Sequence, residues 1–113
     1  MALLEDYKKF LREQGKSENT IKTYSGHVNE YYRWYKDTFG EERTLLYHTN
    51  ILDFRSYLQN IKKLKFKSID TKLSSLTSFN EFLVQIGVQK DLVITAEDRL
   101  KFQQEIASPA DID

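Results

Sequence analysis

Between Ser17 and Gly40 apolar side chains return at helical intervals: Ile21, Tyr24, Val28, Tyr31 and Tyr35 are spaced by three and four residues. Ser17 has the chemistry of an N-cap, and Phe39 and Gly40 close the segment. One helix of about five to six turns is therefore predicted, at 3.6 residues per turn. Tyr32 and Trp34 widen its apolar surface beyond one stripe, so this second helix is expected to sit centrally and touch more than one neighbour.

Three further segments share the period. Leu3, Leu4, Tyr7, Phe10 and Leu11 lie on one face of a first helix that stops at Gly15. Ile51, Phe54, Leu58 and Ile61 mark a third, with Thr49 as its expected cap and Glu41 to His48 as the connection before it. Ile69, Leu73, Leu76, Phe79, Leu83 and Ile86 mark a fourth, capped by Ser68 and ended by Gly87. Leu64 and Phe66 alternate with lysines in Lys62 to Lys67, but six residues with no partner strand make no sheet, so the stretch reads as a basic loop. The expectation is an all-α domain of four helices in residues 1–90.

Composition agrees. The chain has 113 residues, 40% hydrophobic and 13% aromatic, with four Gly and one Pro, which is one domain's worth of core with too few turn residues for a sandwich. Cysteine is absent and the two histidines have no paired ligand spacing, so no disulfide or metal site is expected. The apolar runs are too short to span a membrane and Met1 to Phe10 is unlike a signal sequence, which points to a cytoplasmic protein.

Charge divides the chain. Residues 1–90 carry 15 basic and 11 acidic side chains, whereas 91–113 carry two and six, so the tail reads as a separate linker-like segment. Thr95 to Asp98 resembles a capping box before Leu100, Phe102 and Ile106, which suggests a short fifth helix. Ser108, Pro109 and Asp111 form a helix start with almost no chain after it, so the natural protein is expected to continue past Asp113; a frayed terminus accounts for the same residues.

No phosphate-binding glycine loop, zinc-protease or serine-hydrolase motif or calcium loop is present, and neither a cofactor nor a catalytic residue is expected. His27 and His48 read as exposed or core-satisfied histidines, and the tyrosines mostly fall at core spacing. What remains is local charge. Over residues 54–72 six cations (Arg55, Lys62, Lys63, Lys65, Lys67 and Lys72) face Asp70 alone. A basic loop ahead of a helix start attracts phosphates. Ser68, Thr71, Ser75 and Ser78 add a hydroxyl stripe on the fourth helix, expected opposite its apolar face and able to approach a groove closely. At the start of the second helix Lys16, Asn19, Lys22 and Thr23 are not needed for capping, while Thr20 is expected to reach back to the Ser17 backbone. A solvated lysine loop beside a neutral helix surface explains the same pattern, so residues alone leave both readings open.

The run Ser17 to Tyr24, S-E-N-T-I-K-T-Y, and the later K-S-I-D-T-K-L-S-S-L-T-S-F-N-E-F-L resemble the N-terminal core-binding domain of tyrosine recombinases, the phage integrases. Ser17, Thr20 and Tyr24 fit the family's Ser-x-x-Thr-x-x-x-Tyr; Ser68, Thr71, Leu73, Leu76, Phe79, Phe82, Leu83 and Gly87 fit its fourth helix. The resemblance implies an orthogonal four-helix SAM-like bundle that clasps double-stranded DNA with its second and fourth helices, opposite a C-terminal catalytic domain. It adds His27 to the contact surface and implies tetramers of protomers on DNA in the full protein. The family's chemistry lies in the catalytic domain, so this chain is expected to be inert. Two departures stand out: Gly87 leads into Asp91-Leu92-Val93-Ile94 rather than Asn-Pro, and the whole chain is neutral. The competing expectation is a helical protein-interaction module using Tyr32, Trp34 or Phe102; a third is a bundle with no ligand.

Overall fold

The computed structural model describes residues 2–95 and Arg99. Its helices are α1 (Ala2–Glu13), α2 (Glu18–Phe39), α3 (His48–Asn60) and α4 (Phe66–Gln85), with no strand among the described residues. The all-α expectation holds, and the lysine stretch is a loop only as far as Lys65. The expected fifth helix and the Ser108 start lie outside the described residues, apart from Thr95 and Arg99, whose backbones share an N–H to C=O bond of 3.3 Å.

Local chemistry sets most boundaries. Ser17 is the N-cap of α2, and its hydroxyl oxygen accepts from the Thr20 N–H at 3.1 Å. Gly15 and Gly87, at φ +79° each, close α1 and α4 in the same way. Lys16 N–H reaches Leu11 C=O and Gly15 N–H reaches Arg12 C=O; Val88 to Leu83 and Gly87 to Val84 repeat the pattern. This left-handed closure favours glycine, because a Cβ there crowds the backbone.

Two expected caps are corrected. α3 starts at His48 with Tyr47 as N-cap, and α4 starts at Phe66 with Lys65 as N-cap, neither cap making a side-chain bond. Thr49 and Ser68 therefore sit inside first turns. Burial decides both cases: Leu46 and Ile51 bracket the start of α3, while half-buried Phe66 and buried Ile69 draw the chain into α4 before Ser68. Ile61 and Ile86, assigned to apolar faces by period, are 71% and 45% exposed, since each lies just past the end of its helix.

α2 packs on α1 and α4, but α4 is the helix that packs on all three others, so the central position expected for α2 belongs to α4 as well. Two aromatic clusters fill the interior. Tyr7 meets Phe79 edge-on at 5.0 Å and Phe10 meets Phe82 at 5.3 Å, joining α1 to α4. Tyr31 and Trp34 meet Phe54 at 5.2 and 5.1 Å, joining α2 to α3. Tyr32 links the two through Tyr31 and Phe79, at 5.2 and 5.8 Å. Such rings each bury a large area and hold edge-to-face geometry.

After α4 the chain stays on the bundle. Gln89 donates to Leu46 C=O at 2.7 Å and accepts from Leu46 N–H at 3.0 Å. Buried Asn80 donates to Asp91 C=O at 3.2 Å and accepts from Val93 N–H at 2.7 Å. Val93 C=O lies 2.9 Å from His48 Nδ1, and Ile94 is buried. The packed unit thus reaches Ile94, a few residues beyond the change in composition.

Candidate nucleic-acid interface

The residues singled out in the sequence fall into three places. Lys16, Asn19, Lys22 and Thr23 are exposed around the first turns of α2. Thr20 is half-buried and occupied, its hydroxyl accepting from the Ser17 hydroxyl at 3.0 Å rather than reaching the Ser17 backbone as expected. Asn19 and Thr23 are one turn apart, and the same face continues to His27 and Glu30.

The second place is the lysine loop. It leaves α3 through a tight reversal in which Lys62 N–H bonds to Tyr57 C=O and Leu64 N–H to Leu58 C=O, with Lys63 in the left-handed region at φ 57°. Leu64 packs on the core and anchors the turn, leaving Lys62, Lys63, Lys65 and Lys67 exposed. Lys63, Lys65 and Lys67 form no ion pair with another described residue. The first turn of α4 contains no acid, and exposed Ser68 and Thr71 border it. Its N–H groups and the lysines favour the same ligand charge. Asp70, the one acid of the stretch, is engaged by Arg99 through two bonds of 2.9 Å, which hold the guanidinium above its usual pKa. The tail thereby neutralises the charge that opposed the lysines.

The third place is a polar seam between α2 and α4. His27 Nδ1 lies 2.9 Å from Ser75 Oγ, and Ser75 donates its single proton to Thr71 C=O at 3.1 Å. The imidazole is therefore the donor, through Nδ1–H. Burial, then the charge of Lys72, push the His27 pKa below the ordinary value, against the pull of Glu30. One turn further along α2, Glu30 receives Lys72 Nζ at 2.6 Å and Lys62 Nζ at 3.5 Å. Burial disfavours the Glu30 charge, yet the Lys72 hydrogen bond and both ammonium charges hold its pKa below the usual range.

The seam corrects the hydroxyl stripe. Ser68 and Thr71 are exposed, but Ser75 is fully buried and Ser78 accepts from the Tyr7 hydroxyl at 2.8 Å. α4 is enclosed by α1 and α2 there, so half of the stripe faces neighbouring helices. Sequence reasoning also missed Glu30. The signal was present, since Thr23, His27 and Glu30 are spaced by four and three, but its partners lie 32 and 42 residues away. The aromatics of the competing reading are packed inward: Tyr32 and Trp34 are partly buried against the core, and Phe102 lies outside the described residues. No group of three or more metal-ligating side chains occurs among the described residues, nor is any described helix long and apolar enough to cross a membrane.

The fold is a small helical bundle with an exposed basic edge. Residues 3–89 match the N-terminal SAM-like domain of phage integrases, and the chain belongs to that family. It is similar to the TnP I resolvase of Bacillus thuringiensis, with 41% identity over 112 residues that cover 99% of this chain and 39% of that protein. The chain thus spans about two fifths of the relative's length. No solved structure matches it.

Proposed function

We propose that this domain binds the backbone of double-stranded DNA as the N-terminal, non-catalytic part of a cytoplasmic site-specific recombinase. The carrying observation is the lysine loop: Lys63, Lys65 and Lys67 are exposed, unpaired with any described residue, and gathered at an acid-free helix start. Lys62, Lys72, Ser68 and Thr71 extend this edge, and Lys16, Asn19, Lys22 and Thr23 supply a second set of donors along α2. Thr20, His27 and Ser75 act from behind, holding the cap and the α2–α4 seam in place. Family membership supports the reading. So does the relative's name, resolvase, which is a recombination activity. In this proposal residues past Ile94 lead towards a catalytic domain that closes on the opposite side of the duplex, and protomers assemble as tetramers on DNA.

The test is fluorescence anisotropy with a labelled mixed-sequence duplex across a salt series. Changing Lys65 and Lys67 together to Glu should weaken binding at least tenfold at low salt and reduce the salt slope by roughly 0.9 for each phosphate that is no longer neutralised. The weakening should be similar for unrelated sequences, because interactions with phosphates carry no base information. Unchanged affinity in a folded double variant would reject the loop as the DNA-facing element.

A further inference from the structure

The lysines of the basic edge are not equivalent. Lys63, Lys65 and Lys67 point to solvent, whereas Lys62 and Lys72 converge on one carboxylate, at 3.5 and 2.6 Å. The two come from different elements, the loop after α3 and the second turn of α4, and their shared partner comes from α2. Two ammonium groups around one pair of oxygens is the arrangement that a phosphate also satisfies, since it presents a compact anionic oxygen cluster to point charges. Glu30 is 27% exposed and the Lys62 side chain 44%, so the carboxylate stands at the mouth of the seam, within reach of solvent. Lys72 is more enclosed at 17%, bonded to Glu30 and close enough for its charge to act on His27.

Resting on the reading of this edge as a DNA-binding surface, we propose that Lys62 and Lys72 form a two-point site for one DNA backbone phosphate, which the carboxylate of Glu30 occupies in the free protein and must yield on binding. Glu30 then limits affinity. A duplex gains the two lysines only by displacing an internal anion, so the domain binds more weakly than its lysine count implies. The geometry favours exchange over a permanent ion pair. Lys62 sits at a long 3.5 Å and is 44% exposed, so this arm is held with little net energy and opens first. The enclosed Lys72 arm, at 2.6 Å, opens only as a phosphate takes the place of the carboxylate.

Glu30→Gln keeps the side-chain shape and an oxygen for Lys72 while removing the competing charge. In anisotropy titrations of the 113-residue chain it should tighten binding to a mixed-sequence duplex by roughly eightfold for each lysine released at about 0.1 M salt, and steepen the salt slope by about 0.9 per lysine. In Glu30→Gln combined with Lys72→Gln the gain should fall to the share of Lys62 alone, and it should vanish only when Lys62→Gln is added. Equal affinity and slope for the wild type and Glu30→Gln would overturn the proposal. If the wild type binds in that case, the DNA-binding reading survives; if neither protein binds, both fall. Binding by Glu30→Gln alone would support both. Because a variant can lose its fold, the wild-type protein provides an independent readout by NMR. Addition of duplex should shift the Lys72 ammonium and Glu30 carboxyl signals together as their ion pair opens. Unmoved signals at saturating duplex, or an equal shift with inorganic phosphate at matched ionic strength, would overturn the assignment to a DNA phosphate.

Discussion

α4 meets its neighbours through two seams made of different material. Towards α1 it offers Phe79 and Phe82 to Tyr7 and Phe10, an aromatic seam in which the Tyr7 hydroxyl donates to Ser78. Towards the middle of α2 it offers Lys72 and Ser75 to Glu30 and His27, a seam of charges and hydrogen bonds that opens to solvent at one end. A ring that moves out of the aromatic seam exposes apolar area to water. A partner in the polar seam can be exchanged for a ligand of the same charge. Stability is thus concentrated on one side of α4 and adaptability on the other, and the division can be tested from either side.

The largest effect should come from the aromatic seam. Phe79→Ala should cost about 3–5 kcal/mol in urea unfolding, because the ring is fully buried and touches both clusters; a cost under about 1 kcal/mol would show that the two clusters are independent of it. Asn80→Ala should cost about 1–3 kcal/mol by leaving Asp91 C=O and Val93 N–H without their partner. In the same variant, faster amide exchange at Val93 and Ile94 than in α2 would show that the segment after α4 detaches first.

In the polar seam the effects on stability should be smaller. Glu30→Gln should cost about 1–2 kcal/mol, less than Phe79→Ala, because Gln keeps an oxygen for Lys72 but leaves this largely enclosed ammonium without its counter-charge. His27 gives a pH test. Its folded pKa lies below the unfolded value, so the unfolded chain binds more protons in between and stability must fall as pH drops from about 6.5 through the folded pKa. His27→Gln should flatten that part of the profile, and an unaltered slope would place the titration elsewhere. Lys63→Gly should be the mildest, stabilising by up to about 1 kcal/mol through relief of the left-handed backbone, while removing one cation from the edge.

Much of the architecture is legible in the residue order. Ile21, Val28, Tyr31 and Tyr35 mark the buried face of α2 because a regular helix repeats its own geometry, and Ser17 marks its start because a hydroxyl there meets an N–H three residues on. The starts of α3 and α4 are misread for the complementary reason. Thr49 and Ser68 are good caps by residue type, yet burial of Leu46, Ile51 and Ile69 fixes the chain first. The lysine loop is legible because its charges lie close together in the chain; the fate of Lys62 and Lys72 is not, because Glu30 reaches them across the fold.

Four helices and the gathering of lysines around the start of α4 follow from residue order alone, since both depend on interactions between residues a few positions apart. Which cations meet Glu30, the pairing of Asp70 with Arg99 and the inward turn of Ser75 to His27 emerge only in the assembled bundle. Those outcomes depend on how helices are rotated against one another. Rotation is set by the fit of large rings such as Tyr32 and Phe79 in a shared core, and no local spacing encodes that fit.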